Sequence, residues 1–321
     1  MTQLAIISDA AVRKHMTRKT AYKAVQKSFI AVLDQQSAVF PVVIGTGEPP
    51  ESMFAVTSGY LAPERLVGMK VGTYWPNNQQ HDLANHASTT LLLHPDTGLP
   101  MALINANRLN CLRTAAANAV ATDLLANPNA KTLLIVGTGH QAKYEIQALC
   151  DIRSFESILV WGRNQQRAKQ FVANLGEYTS RCKVLHNIQE GTHQADIITT
   201  VTTATSPIIQ AEWVKPGTHI SAMGADKKGK QELSPQLLSI AQLYADLPQQ
   251  ARQIGEFQHL TNPSQKVTAL GELIQPNRNN IYRADTVTVF DSSGIALQDI
   301  SAAYQIYQDA VRSGDVELFN F

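Results

Sequence analysis

A glycine turn is the strongest chemical signal in this sequence. In LLIVGTGHQAKYEIQALC, Gly137-x-Gly139-x-x-Ala142 follows an apolar strand-like run and opens a helix-like one. Gly137 permits a tight turn, Gly139 lets the backbone approach a pyrophosphate, and Ala142 is small enough for close helix–strand packing. The first helical amides then face the phosphates, so Gly137, Thr138, Gly139, His140, Gln141 and Ala142 form a candidate dinucleotide site. A turn selected for packing alone has the same pattern. The strand–turn–helix setting and the second strand that follows, SILVWGRN, favour the nucleotide.

The end of that second strand bears on the choice of cofactor. An NAD site usually places an acid there for the ribose 2′-hydroxyl, whereas this chain has Gly162, Arg163 and Asn164, with Arg167 a turn later. A guanidinium can pair with a 2′-phosphate, which a carboxylate would repel, so NADPH is expected, with NADH possible. The alternative is that both arginines are solvated surface charges.

Three further residues could serve a substrate. Asp226 ends the run THISAMGAD, where a carboxylate could donate a proton to a substrate nitrogen or stabilise an iminium; a cap or surface turn is the competing role. In LVGMKVGTYW, strand alternation puts Gly68, Lys70 and Gly72 on one face, leaving room for a ligand to reach the ammonium unless Lys70 is a solvated edge residue. Arg113 and Thr114 open the Ala-rich stretch LRTAAANAVATDLLANP, where a helix N-terminus would help bind an anion, with Thr114 as its cap or a phosphate contact; a structural salt bridge is equally compatible. His86, in HASTTLLLHPDTG, could line the substrate cleft, although a lone histidine is more often structural. Neither a metal-ligand cluster nor a Ser–His–Asp order is present.

The elements that must position these groups fall into two textures. Residues 1–112 mix a helix, Thr17 to about Gln35, with short strand-like runs and Pro/Gly/Asn turns. From 131 onward TLLIVG, SILVWG, CKVLH, DIITTVT, THISAMG and LYADL alternate with helical segments, which implies a Rossmann-type doubly wound parallel sheet. The terminal helix DISAAYQIYQDAVRSG is expected to pack back on the first half. An α/β chain of two domains results: 1–115 with 295–321, an α+β domain, and 116–294, the dinucleotide-binding domain.

Composition narrows the partners. Lys+Arg 27 against Asp+Glu 26 gives a net charge of +1, so no basic surface advertises nucleic acid or an anionic membrane. No run reaches the roughly 20 apolar residues that cross a bilayer. Three cysteines without CxxC spacing fit a reduced, cytoplasmic compartment.

Taken together, GMKVG, HASTTLLLHPDTGLPMALINA, LRTAAANAVA, VGTGHQA, TTVTTATSPI, WVKPGTHISAMGADKKGKQEL and VFDSSGIALQD resemble the ornithine cyclodeaminase/μ-crystallin family over nearly the whole chain. The resemblance implies a homodimer, with substrate and interface on the first domain and cofactor on the second. It implies that Lys70 and Arg113 grip a substrate carboxylate, that Asp226 acts beside the reacting nitrogen, and that Thr114, Thr202, Met223 and Ser293 touch the nucleotide. One departure is Val43, where family members often carry an arginine. The segments KVGTYWPNN, LRTAAANAVA and GHQA look most like the Δ1-pyrroline-2-carboxylate reductases, which implies reduction of that imine to L-proline and of Δ1-piperideine-2-carboxylate to L-pipecolate. Ornithine cyclodeaminase, alanine dehydrogenase and a μ-crystallin-like NADPH-dependent binding protein are the alternatives.

Overall fold

A computed structural model describes residues 3–49, 51–274 and 280–320. The chain divides into two compact units, Met1–Arg113 with Ile295–Phe321, and Thr114–Gly294. The division falls inside one continuous helix, Asn107–Leu125.

The first unit is built on one sheet. Its strands run in the order Glu317–Asn320, Gln3–Ile7, Pro100–Asn105, His86–Leu93, Leu66–Tyr74, Met53–Leu61 and Ala38–Val39, with Val43–Thr46 also on Met53–Leu61. Every pairing except Gln3–Ile7 with Pro100–Asn105 is antiparallel. Helices Arg18–Ala31 and Ala296–Ser313 pack together, and the latter lies on the sheet. Thr17 caps the first of these, its hydroxyl accepting from Thr20 N at 3.1 Å.

Glycine determines how close the second helix comes. Gly59 and Gly68 are cross-strand partners, and a Cβ on Gly68 would stand 2.9 Å from Ile300 Cγ1. The face shared by Gly68 and Lys70 is therefore covered by helix Ala296–Ser313. Space beside Lys70 was expected to admit a ligand, but at Gly68 it admits Ile300.

The second unit carries an eight-stranded, wholly parallel sheet in the order Cys182–Val184, Ser157–Trp161, Thr132–Val136, Ile197–Thr200, His219–Ala222, Thr288–Asp291, Gln242–Ala245 and Val267–Ala269. Each strand expected from 131 onward forms, and the sheet is the doubly wound Rossmann type. In Thr132–Val136 the residues alternate between two cores: Leu133 and Ile135 pack on one side, Leu134 and Val136 on the other. Burial on both faces explains why this strand reads as an unbroken apolar run. Truncating Leu133, Leu134 or Ile135 to Ala would cost about 2–5 kcal/mol.

Strand order reverses between Thr132–Val136 and Ile197–Thr200. The chain first builds outward to Cys182–Val184, then returns to the other side of its starting strand. Ligands of open α/β sheets bind beyond the carboxyl ends of strands at such a reversal.

Candidate active site

In the first unit, Lys70 and Arg113 converge on one carboxylate. Lys70 Nζ lies 2.9 Å from Asp299 Oδ2, and Arg113 Nε lies 2.9 Å from Asp299 Oδ1. Asn110 Oδ1 accepts from both cations, at 3.0 Å from Lys70 Nζ and 2.7 Å from Arg113 Nη2. Arg113 Nη1 also donates to Gln298 Oε1 at 3.1 Å. The side chains are 11%, 9% and 2% exposed for Lys70, Arg113 and Asp299, so the cluster is close to dry. Burial alone would raise the Asp299 pKa, but the adjacent Arg113 and Lys70 charges and hydrogen bonds outweigh it and hold the carboxyl below its usual range. Lys70 and Arg113 thus bring two cations together at one carboxylate, an arrangement that favours an anionic ligand over a cationic one.

The helix carrying Arg113 differs from expectation. It begins at Asn107, so Arg113 is its seventh residue and Thr114 its eighth, both well inside it. The anion-binding argument from a helix N-terminus therefore does not apply to Arg113, and Thr114 is not a cap. Leu109 and Leu112, both buried, already have helical spacing ahead of the alanine run; that was the available signal. Asp299 carries no such signal, since in the sequence it is an ordinary acid in a helix's first turn.

His86 opens strand His86–Leu93 opposite Tyr74, with ring centroids 4.8 Å apart, and is exposed. Val43, at the position where a third cation was considered, is 60% exposed on strand Val43–Thr46.

In the second unit the glycine turn sits at the strand-order reversal. Gly137 has φ +123°, and a Cβ there would stand 2.6 Å from Val201 O, so no other residue fits without displacement. Gly139 is the N-cap of helix His140–Ile152, without a side-chain cap bond, and nothing lies within 4 Å of where its Cβ would be. That opening, with uncapped amides behind it, fits a dinucleotide pyrophosphate. Ala142 is fully buried. Gln141 Nε2 donates to Glu145 Oε1 at 2.7 Å, His140 packs edge-on to Tyr144, and Thr138 covers Gly162.

Arg163, Asn164 and Arg167 lie exposed at the end of Ser157–Trp161. Asn164 Oδ1 accepts from Arg167 N at 3.0 Å and so caps helix Gln165–Ala173. Thr202 and Met223 follow Ile197–Thr200 and His219–Ala222, and Ser293 follows Thr288–Asp291. Ser293 Oγ accepts from Gln250 Nε2 at 3.0 Å. Asp226 stands beyond the same edge, its side chain 59% exposed and paired with Lys230 Nζ at 2.6 Å. Lys230 is only 13% exposed but also donates to Gly224 O at 3.0 Å, so its ammonium keeps an acceptor when Asp226 turns to another cation. Among the described residues no group of His, Cys, Asp and Glu could hold a metal ion, and no helix is long and apolar enough to cross a membrane.

Comparison with known proteins finds relatives that match most of this chain. Iminosuccinate reductase of Paracoccus denitrificans is 33% identical over 316 residues, covering 96% of this chain and 97% of the relative. A crystal structure of that reductase in complex with NAD+ superposes with a TM-score of 0.90 at 32% identity, covering 99% of this chain and 100% of the other. Δ1-Pyrroline-2-carboxylate reductase of Bacillus cereus is 32% identical over 263 residues, 79% of this chain and 81% of the relative. The model of the ornithine cyclodeaminase/mu-crystallin family matches residues 3–314. With that match spanning both units, the glycine turn and the Lys70–Arg113 pair, the chain belongs to the ornithine cyclodeaminase/mu-crystallin family.

Proposed function

We propose that this protein is a nicotinamide-dependent oxidoreductase that reduces the C=N bond of an α-imino acid. The substrate is Δ1-pyrroline-2-carboxylate, giving L-proline, with Δ1-piperideine-2-carboxylate, giving L-pipecolate, as the second. The observation that carries this reading is the nearly dry Lys70–Asp299–Arg113 cluster, in which two cations converge at one place where a substrate carboxylate can be received. A reduced nicotinamide dinucleotide, when held by the turn from Gly137 to Ala142, would supply the hydride that the imine carbon accepts. The nitrogen already holds its proton in the iminium form, so the product is a neutral secondary amine until solvent protonates it.

The residues divide the remaining work. Lys70 and Arg113 hold the carboxylate, and such orientation can lower a barrier by several kcal/mol. Asp226 exchanges Lys230 for the iminium and thereby favours the protonated imine, which accepts hydride better than the neutral one. The turn from Gly137 to Ala142 takes the pyrophosphate, with Thr114, Thr202, Met223 and Ser293 as further nucleotide contacts. Arg163 and Arg167, with no acid between 162 and 167, favour NADPH over NADH.

Iminosuccinate is a second candidate substrate, because the reductase that acts on it matches nearly the full length of this chain. Loss of NADPH absorbance separates the readings when followed with pyrroline-2-carboxylate, with iminosuccinate, and with pyruvate plus ammonia. Turnover of the cyclic imine supports the proposal. Turnover confined to iminosuccinate, or to pyruvate plus ammonia, rejects the proline assignment. Ammonia release from ornithine with NAD would reject the reductase reading in favour of a cyclodeaminase.

A further inference from the structure

Strands Ile197–Thr200 and His219–Ala222 are parallel neighbours, and the segments leaving their carboxyl ends carry Thr202 and Met223–Asp226. One carboxylate joins both segments. Glu232, fully buried on strand Gln231–Leu233, accepts at Oε1 from Thr202 N and Thr202 Oγ1, each at 2.7 Å. At Oε2 it accepts from Thr200 Oγ1 at 2.7 Å and Gly224 N at 3.0 Å. The fit leaves no slack, because a Cβ on Gly224 would stand 2.5 Å from Glu232 Oε1 and 2.5 Å from Thr202 O. Glu232 is itself held in place: Glu256, buried, accepts from Glu232 N at 3.0 Å and Leu233 N at 2.7 Å.

The geometry also fixes what Thr202 can offer a ligand. A hydroxyl has one donor and two acceptor positions. The Thr202 hydrogen points to Glu232, and its oxygen accepts from Ala204 N at 3.1 Å. One acceptor position remains.

We propose that Glu232 is a positioning residue for hydride transfer, locking the Thr202 segment to the Met223–Asp226 segment and leaving the Thr202 hydroxyl as an acceptor toward the nucleotide. The inference rests on the reading above, in which the nicotinamide lies beyond these strand ends. Glu232 touches neither cofactor nor substrate and acts through Thr202 and Gly224. Glutamine in its place keeps the size but turns an NH2 toward two of the four donors, so the tether is half lost.

Asp196 supplies the matched comparison. Its carboxylate accepts from Lys131 N, Thr132 N and Lys215 Nζ at the amino ends of the same sheet, away from the strand edge in question. Glu232→Gln is expected to lower kcat at least about tenfold while the KM for the imino acid stays within about twofold. Asp196→Asn should lower Tm and leave both constants unchanged. Wild-type kcat in Glu232→Gln, or an equal kcat loss in Asp196→Asn, overturns the inference. If Glu232→Gln does not fold, Thr200→Val decides: it removes one donor at constant shape, and a reduced kcat supports the role while an unchanged one refutes it. Unaltered protein that turns over no imine rejects the imine-reductase reading and this inference with it. Turnover by the unaltered protein with an unaffected Glu232→Gln rejects this inference alone.

Discussion

The side chains that carry opposite charges in this protein differ sharply in how dry they are, and that difference sorts their roles. Asp226 is exposed and its partner Lys230 has a second acceptor in Gly224 O, so it can respond to a ligand; Asp226→Asn should keep NADPH affinity and lower turnover at least about tenfold. Unchanged turnover in steady-state assays would remove Asp226 from the mechanism. Asp299 is buried between two cations, and removing it strands both. Asp299→Ala should cost about 3–5 kcal/mol in urea unfolding, and a loss below about 1 kcal/mol would show that solvent already screens the cluster. Because the Asp299 carboxyl titrates below its ordinary value of 3.8, its contribution is present above that pH and lost as pH falls further. Arg163 belongs to the exposed class. Arg163→Ala should weaken NADPH more than NADH in titrations of protein fluorescence, and equal losses would refute pairing with a 2′-phosphate. Residue type and neighbouring sequence single out Lys70 and Arg113 but leave a solvated lysine and a structural salt bridge open, and Arg113 does form a buried salt bridge with Asp299. Their shared partner was not legible, since only tertiary packing of helix Ala296–Ser313 on the sheet brings Asp299 to them.

Among the elements, the parallel strands were the most legible, because burial on both faces leaves long apolar runs that few other structures produce. Helix boundaries were less so: the helix of Arg113 starts at Asn107, since Asn105 Oδ1 accepts from Asn107 N at 3.2 Å, and asparagine at a strand end gives no distinctive signal of that. The buried titratable groups Glu256 and His219 were illegible, yet they should weigh heavily in the pH response of the second unit. Burial pushes Glu256 from 4.5 to about 8, with the neighbouring Glu232 charge adding to it. Its contribution to stability is fully present below 4.5 and is lost as pH rises to about 8. His219, fully buried between Thr288 and Ser221, is pushed by burial from 6.5 down to about 3, with Arg153 acting in the same direction. Its contribution is present above 6.5 and is lost as pH falls toward 3, so it is constant where Glu256 is still titrating. Between pH 6.5 and 8, therefore, unfolding free energy should decline by up to about 2 kcal/mol through Glu256. Urea titrations of Glu256→Gln should show that much less decline, and an identical slope in the variant would assign the pH response elsewhere.

At the scale of the whole molecule, a net charge of +1 offers little repulsion between copies, so exposed apolar surface becomes decisive. Phe40, Val43 and Ile44 are 44%, 60% and 55% exposed, an unusual concentration for five consecutive positions. Among the described pairings, strand Val43–Thr46 hydrogen-bonds only to Met53–Leu61, so its other edge presents unpaired backbone beside those side chains. An apolar, unpaired edge recruits other strands without limit unless a closed arrangement covers it, and a two-fold pairing is the simplest that closes. The first unit should accordingly form a homodimer through this edge. Sedimentation velocity at micromolar concentration should give one dimeric species for the unaltered protein, and Ile44→Lys should shift it toward monomer while NADPH binding on the second unit persists. The lysine places a charge on each of two facing edges, so the effect should weaken as salt screens the repulsion. A monomer in the unaltered protein, or a dimer unaffected by Ile44→Lys at low salt, would mean that this edge is protected by some means other than a second copy.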